Sequence, residues 1–304
     1  MSAAFELEPY DASRRDDYLG LLGEAWGRGA MGGDLFDWWY DGNPAGSLRS
    51  VAVRGGEVVG AAGHSLFPLV VGGQERLGQF SVHAATTPTA RGLGIFRALE
   101  VRHEEQGRDR GSICVLGFAG APTHGIFLGP LGWTQIDRRR VWARPLPVGR
   151  RGGANRLDRF EERHGAVVAA AGSARWGNHV LRDARYLNWR YVESPRTYRL
   201  LESDLGGFAV VGFTQRKGVR IALLMELVGE DEDVGVLLRG ALAAARGSAV
   251  LLAVPSPVLT RSRLLRRGFV PTTYRLDLMG KGLAEPLDSR SDAWTVSLGD
   301  TDFF

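Results

Sequence analysis

The chain has 304 residues, 44% hydrophobic and 24% charged, a composition that excludes a disordered or collagen-like chain. At roughly 150 residues per domain, this length favours two domains. The single cysteine, Cys114, excludes an internal disulfide framework and a cysteine-rich zinc site, and it is predicted to be buried packing. The net charge of +4 comes almost entirely from arginine. Because the arginine clusters are short and contain no aromatic residues, we expect a solvated face or a small anionic ligand, and no nucleic acid partner.

No apolar run approaches the roughly 20 residues that a membrane-spanning helix needs. The first residues show no basic stretch followed by an apolar one, which a signal peptide would have. These features predict a cytoplasmic protein with no membrane partner.

The first half of the chain predicts a helix, a three-stranded meander and two further helix–strand pairs. Double glycines at 55–56 and 72–73 separate three apolar runs, which is typical of antiparallel strands joined by tight turns. The aromatic segment 36–40 is predicted to be core rather than substrate-lining. The predicted elements are a helix over 13–26, strands over 50–54, 58–71 and 75–87, a helix over 95–106, a strand over 112–118, a short helix over 124–128 and a strand over 133–143.

The second half repeats this order of elements. Local patterns recur with it: Trp38-x-Tyr40-x-x-x-Pro44 reappears as Trp189-x-Tyr191-x-x-x-Pro195, and Leu131-Gly132-Trp133 as Arg267-Gly268-Phe269. The repeats indicate duplication of one α/β unit, with two unrelated α/β domains as the alternative. The predicted elements are a helix over 181–191, strands over 208–213 and 219–227, a helix over 233–246, a strand over 249–254, a helix over 257–267 and a strand over 269–278.

A strand that ends at Pro88 leads into a glycine-containing turn and the start of a helix. Gly92 and Gly94 permit a left-handed backbone and close approach of a bulky ligand. The amides of the first helical turn attract an anion, and Arg91 adds a permanent positive charge. A pyrophosphate would satisfy all three features. The spacing fits neither a Walker A loop nor a dinucleotide-binding fingerprint, and glycines needed only for packing are the alternative explanation.

This segment resembles motif A of the GNAT superfamily of acyl-CoA-dependent N-acyltransferases, Arg/Gln-x-x-Gly-x-Gly/Ala after the proline that ends the fourth strand. Arg91 and Gly94 match, whereas Phe96 stands where Gly or Ala is usual. The resemblance covers about residues 5–146 and includes Leu131-Gly132-Trp133 before the sixth strand. In the second half, four carboxylates at 230–233 occupy the corresponding turn and would repel a pyrophosphate.

The resemblance implies an α/β (α+β) fold of two GNAT-like units, each a mixed, mostly antiparallel sheet flanked by helices. It implies an intact domain over 1–147, a linker over 148–160, a degenerate domain over 161–280 and a tail over 281–304, which is either a peripheral strand or a loose end. It further implies that acetyl-CoA or another acyl-CoA pairs its pantetheine arm with the fourth strand and its pyrophosphate with the turn. The implied cofactor-binding residues are Ala84, Ala85, Thr86, Arg91, Gly92, Leu93, Gly94, Ile95, Phe96 and Thr123.

Attack of an amine on a thioester needs a base for the amine and a proton for the departing thiolate. The tyrosine that often supplies this proton in the family is missing, because residues 120–133 contain none. His83 is the candidate base, and His124 or solvent is the candidate acid. His64 is a further candidate for the same cleft, His103 is expected at the surface, and a structural role is the alternative for each. No residues have metal-ligand spacing, so no metal is predicted.

The predicted function is transfer of an acyl group, most simply acetyl, to the primary amine of a small molecule such as an amino sugar, an amino acid or a natural-product amine. A monomer or a homodimer is expected, with a substrate cleft between the two halves. Two alternatives stay open. A tRNA-dependent aminoacyltransferase of the peptidoglycan type is disfavoured by the intact turn. A non-catalytic acyl-CoA-binding module stays open because the tyrosine is missing.

Overall fold

The computed structural model describes residues 5–27, 31–147 and 153–301. It divides the chain into two compact units, which differ from the predicted domain limits of 1–147 and 161–280. Unit 1 consists of Met1–Pro68, Arg76–Ile136 and Asp277–Ser289, and unit 2 consists of Leu69–Glu75, Asp137–Leu276 and Arg290–Phe304. Residues 148–152 of the predicted linker and 302–304 of the predicted tail lie outside the described residues.

Unit 1 is a mixed sheet with helices packed against it. Its strand order is β1-β2-β3-β4-β5-β13, with β4 and β5 parallel and the β1–β2, β2–β3 and β5–β13 pairs antiparallel. Its elements are β1 (Glu6–Pro9), α1 (Arg15–Trp26), α2 (Gly33–Tyr40), β2 (Ser47–Arg54), β3 (Glu57–Val71), β4 (Gln74–Thr86), α3 (Ile95–Asp109), β5 (Ser112–Phe118), α4 (Ala121–Leu128) and the end of β13 (Val270–Gly282).

The meander forms where the glycine pairs predict it. Gly55 and Gly56 have φ of 61° and 88°, and Gly72 and Gly73 have φ of 58° and 77°. Two successive left-handed residues make the turn whose twist matches antiparallel strands, and glycine adopts this conformation without steric strain. The three predicted strands of the meander are therefore confirmed as β2, β3 and β4.

The strands of unit 2 follow the order β13-β6-β12-β11-β10-β9-β7, with β11 and β12 parallel. The short strand β8 pairs with the end of β3 that belongs to this unit. Its elements are β6 (Thr134–Pro145), β7 (Asn155–Leu157), α5 (Glu162–Trp176), β8 (His179–Val180), α6 (Ala184–Leu187) continued by a π-helical turn (Asn188–Val192), β9 (Tyr198–Glu202), β10 (Phe208–Arg216), β11 (Val219–Val228), α7 (Asp231–Ala244), β12 (Val250–Ala253), α8 (Arg261–Arg266) and the start of β13.

The last strands of the two halves are exchanged relative to the sequence prediction. The strand predicted over 133–143 was expected to complete the first half, yet β6 pairs antiparallel with β12 in unit 2. The end of β13 instead pairs with β5 in unit 1, with Met279 opposite Gly117. Chain order led to the opposite expectation because consecutive elements are neighbours in only about two-thirds of cases.

The predicted aromatic core is confirmed. Phe36, Trp39 and Tyr40 are all buried in unit 1. The predicted tail is packed rather than loose, because Trp294 and Leu298 are buried among the residues of unit 2. Within the described parts of the chain, no helix combines the length and the apolar character that crossing a bilayer requires.

Candidate active site

The strands β4 and β5 pair over only part of their length. Their parallel register runs from Leu77 opposite Ser112 to Ser81 opposite Gly117. On its other edge β5 pairs with β13 from Cys114 to Phe118 and ends there, whereas β4 extends to Thr86. The segment 82–86 therefore extends beyond the part of β4 that pairs with β5, as the resemblance implies for the strand that accompanies the pantetheine arm.

The turn after β4 presents main chain to solvent. Gly92 and Gly94 have φ of 82° and 79°, and no atom lies within 4 Å of the place where a Cβ would stand on either. Residues 91–94 are exposed, and the α3 N-terminus that begins after Gly94 has no side-chain cap. Because the first amides of a helix have no acceptor within the helix, those of α3 are directed at whatever occupies this turn. Its dipole favours an anion there.

The side chains of the β4 alanines pack into the core. Ala84 packs against a buried cluster that includes Ile95 and Leu99 of α3, and Ala85 is 8% exposed. Thr86 is half-buried. Contacts of residues 84–86 with a ligand would therefore be made by the main chain, which stays a prediction.

The departure from the motif at Phe96 has a structural explanation. The Phe96 ring packs edge-on against Phe127 of α4, with 5.6 Å between the ring centroids, and joins a cluster that contains Trp133. The Trp133 indole donates a 2.8 Å hydrogen bond to Glu104 of α3. A bulky residue at this position therefore fixes α4 against α3 without entering the turn.

His83 combines strained backbone with extensive contacts. Its φ of 51° is left-handed, which is uncommon for a residue other than glycine. The ring is 4% exposed and lies near Trp39 and Tyr40, with centroid distances of 5.3 and 5.7 Å. The Tyr40 hydroxyl lies 3.1 Å from Nδ1, and the Tyr18 hydroxyl donates a 3.4 Å hydrogen bond to the His83 carbonyl.

The comparisons with known proteins concern the whole chain. No family model matches the sequence, and a search of curated proteins finds no relative. Solved structures do match. A GCN5-related N-acetyltransferase from Kribbella flavida aligns over 93% of this chain and 73% of its own, with 18% identity and a TM-score of 0.67. One from Anabaena variabilis ATCC 29413 aligns over 92% and 73%, with 13% identity and a TM-score of 0.68. Eis1 from Mycobacterium abscessus aligns over 92% and 73%, with 17% identity and a TM-score of 0.58.

The chain has the GCN5-related N-acetyltransferase fold. Within this fold, the second candidate histidine, His124, lies half-buried on α4 together with Thr123, whose hydroxyl donates to the Gly120 carbonyl. The contacts described for His83 are with α1 and α2 rather than with α4. His83 and His124 therefore stand on different elements, and their catalytic roles stay predictions.

His64 and His103 belong to a buried polar network. Both are fully buried, which contradicts the surface position expected for His103. His64 Nε2 lies 3.0 Å from Glu100, and His64 Nδ1 lies 2.9 Å from the Gln79 amide nitrogen. Burial, reinforced by His64, holds the pKa of His103 well below its usual range. The sequence of α3 did not predict this polar network. Glu and His in a helix normally indicate its exposed face, so a sequence pattern assigns these residues to the surface.

Acidic side chains occupy the helix N-terminus that follows β11, whereas the helix N-terminus that follows β4 has no side-chain cap. Glu230 caps α7 and Asp233 accepts a hydrogen bond from the Glu230 amide, so carboxylates of the chain itself occupy the N-terminus of this helix. On β11, Glu226 is buried between Arg182 and Tyr191, with hydrogen bonds of 2.9 Å to each. Sequence patterns did not single out this buried network, and its members lie far apart in the chain.

Two further predictions concern reactive groups. Burial raises the pKa of the Cys114 thiol to about 12, and the side chain is 1% exposed, as expected of core packing. Across residues 5–27, 31–147 and 153–301, no three His, Cys, Asp or Glu side chains are grouped so that they could hold a metal ion.

Proposed function

We propose that this protein is an acyl-CoA-dependent N-acyltransferase, most simply an acetyltransferase, that acts on the primary amine of a small molecule such as an amino sugar, an amino acid or a natural-product amine. The observation that carries this proposal is the exposed turn at 91–94, whose left-handed glycines lead into a helix without a side-chain cap, directly after the part of β4 that extends beyond its pairing with β5. The names given to proteins of the same fold support it.

In this proposal the cosubstrate lies along unit 1. The amides of the turn and of the first turn of α3 hold the diphosphate, and the guanidinium of Arg91 adds positive charge. The main chain of residues 84–86 accompanies the pantetheine arm. The open space above Gly92 and Gly94 is consistent with this fit, because a Cβ there would stand where the diphosphate approaches.

The hydrogen bonds around His83 suit a general base. The Tyr18 hydroxyl donates to the His83 carbonyl, and the Tyr40 hydroxyl lies 3.1 Å from His83 Nδ1. In this proposal Nδ1 carries the imidazole proton and donates it to the Tyr40 oxygen. This arrangement leaves the lone pair on Nε2, which takes the proton of the amine as nitrogen attacks the thioester carbonyl. The carbon–sulfur bond breaks, and the thiolate takes a proton from His124.

We further propose that unit 2 is a duplicated, degenerate copy without its own cosubstrate. The parallel strands β11 and β12 are connected by α7, which repeats the arrangement of β4, α3 and β5. The capping carboxylates of α7 would repel a diphosphate, whereas the corresponding position of unit 1 carries no acidic side chain.

Calorimetric titration with acetyl-CoA tests the cosubstrate site. Wild type is expected to bind, and Arg91→Glu to bind at least about tenfold more weakly, since it removes a charge-assisted hydrogen bond and adds repulsion. Arg54→Glu is the matched control, because Arg54 is exposed in the same unit on β2. Absence of binding by wild type, or equal loss in both variants, contradicts the proposed site.

Thiol release with a panel of amines separates an enzyme from a binding module. Wild type is expected to release coenzyme A only when an amine acceptor is present, and His83→Ala to lower kcat by about 100-fold or more. Binding of acetyl-CoA without thiol release from any acceptor supports the non-catalytic alternative. Salt-sensitive binding of tRNA in place of acetyl-CoA supports the aminoacyltransferase.

A further inference from the structure

A concave site lies in unit 2, between α7 and α8. The cavity has a volume of about 190 Å³ and is lined by Asp231, Val234, Gly235, Leu238, Arg263, Arg266 and Arg267. Three arginines thus face a single carboxylate. Sites for drug-sized ligands measure roughly 300–1,000 Å³, so this cavity is suited to one small group.

The single carboxylate of the cavity is already neutralised. Asp231 accepts a 2.7 Å hydrogen bond from Arg175 and a 3.1 Å hydrogen bond from Arg263. These partners, Arg263 first, hold the pKa of Asp231 below its usual value. In the described parts of the chain, Arg266 and Arg267 form no ion pair. The positive charge of the cavity is therefore not balanced by the protein itself.

The guanidinium groups of Arg239 and Arg267 both approach Gly235. A Cβ on Gly235 would stand 3.6 Å from Arg239 Nη1 and 3.7 Å from Arg267 Nη2. Neither guanidinium has an acidic partner among the residues that the structure describes. Two positive charges that approach one point across a residue without a side chain repel each other, and an anion placed between them would remove that repulsion.

The anion would be held by side chains and not by the N-terminus of α7. Glu230 and Asp233 already occupy the capping positions of this helix. Arginine is suited to the remaining role, because its planar guanidinium binds phosphate oxygens with two parallel hydrogen bonds.

We propose that the cavity between α7 and α8 binds a single phosphoryl group, either free phosphate or the phosphate of a small monoester, between Arg266 and Arg267 of its lining and Arg239, which approaches it at Gly235. The site belongs to unit 2, so it is independent of the acyl-CoA turn in unit 1.

A glycine substitution tests the proposal without removing an arginine. Gly235→Asp places a carboxylate four residues before Arg239 on the same helix, where opposite charges attract. Gly235→Asn has the same shape without the charge. A Cβ at 3.6 and 3.7 Å from these guanidinium groups would make ordinary van der Waals contacts, so both variants are expected to fold.

Thermal unfolding is measured with and without saturating inorganic phosphate, with ionic strength held constant by KCl. Phosphate is expected to raise the Tm of wild type and of Gly235→Asn but not that of Gly235→Asp. Without phosphate, Gly235→Asp is expected to unfold at a higher temperature than Gly235→Asn. An unchanged Tm of wild type in phosphate, or equal responses of the two variants, overturns the proposal.

Arginine variants and a second ligand complete the test. Arg267→Gln is expected to weaken phosphate binding by about tenfold, whereas Arg261→Gln, exposed on the same helix α8 outside the cavity lining, is expected to leave it unchanged. Glycerol 3-phosphate distinguishes the sources: binding shows that a monoester is accepted, and binding of phosphate alone assigns the site to the free ion. Binding of RNA that phosphate cannot displace overturns the phosphoryl site in favour of a polyanion surface.

Discussion

The hydroxyl of Tyr40 offers a direct test of how His83 acts. Tyr40→Phe removes the acceptor that lies 3.1 Å from His83 Nδ1, in a place where Tyr40 and His83 are 2% and 4% exposed. A buried donor left without a partner costs about 1–3 kcal/mol. The imidazole regains this energy by moving its proton to Nε2, the atom that has to accept the proton of the amine.

A tautomer shift of this size lowers the population of the active base by about tenfold to 100-fold. We therefore expect kcat for amine acylation to fall by that factor while the Kd for acetyl-CoA stays constant. In Tyr40→Phe, the ¹⁵N chemical shifts of Nδ1 and Nε2 of His83 should swap, because the proton moves from Nδ1 to Nε2. Tyr10→Phe is the control, because Tyr10 packs in the same aromatic group against Tyr18. Equal kcat values for the two variants would refute the proposed role of Tyr40.

Three other changes have expected outcomes. Arg182→Met leaves Glu226 and Asp300 buried without their cation, and should lower the free energy of unfolding in urea by about 3–5 kcal/mol. Burial already raises the pKa of Glu226, so the folded variant protonates this carboxylate more readily than the unfolded chain does as the pH falls. The loss of unfolding free energy should therefore be smaller at about pH 5 than at about pH 8. Equal losses at the two pH values would contradict this reasoning. Cys114 should resist thiol reagents until the protein unfolds, since burial raises its pKa to about 12, and rapid labelling of the folded protein would show otherwise. Gly94→Ala forces an alanine to φ of 79° at a cost of about 1–2 kcal/mol, which should weaken acetyl-CoA binding about tenfold in calorimetry; an unchanged Kd would show that the turn does not hold the diphosphate.

Much of the local structure follows from patterns that the sequence displays directly. The glycine pairs delimit β2, β3 and β4, and the apolar run at 112–118 coincides with β5. The helix α5 was missed because the stretch 162–176 is rich in alanine and glycine and shows little contrast between apolar and polar faces. The strands β1, β7 and β9 are short and have too few residues for a clear alternation.

The candidate site was predictable only where it depends on the main chain. Glycines and an arginine at fixed spacing predicted the exposed turn, because few residues other than glycine adopt its conformation. The surroundings of His83 were not predictable, since Tyr18, Tyr40 and Trp39 come from two helices far away in the sequence. The same holds for Glu100, a charged residue whose burial depends on tertiary pairing with His64.

The pairing of β5 with the end of β13 affects how the protein is made. While the ribosome is synthesising the middle of the chain, residues 112–118 lack the neighbour that residues 278–282 later supply. Domains generally fold in the order of their synthesis, but unit 1 must wait for a segment that is translated more than 150 residues after β5. Until then an apolar strand edge is open to wrong partners. A nascent chain of this kind is a natural client for chaperones, and a fragment that stops before residue 277 inherits the same exposed edge permanently.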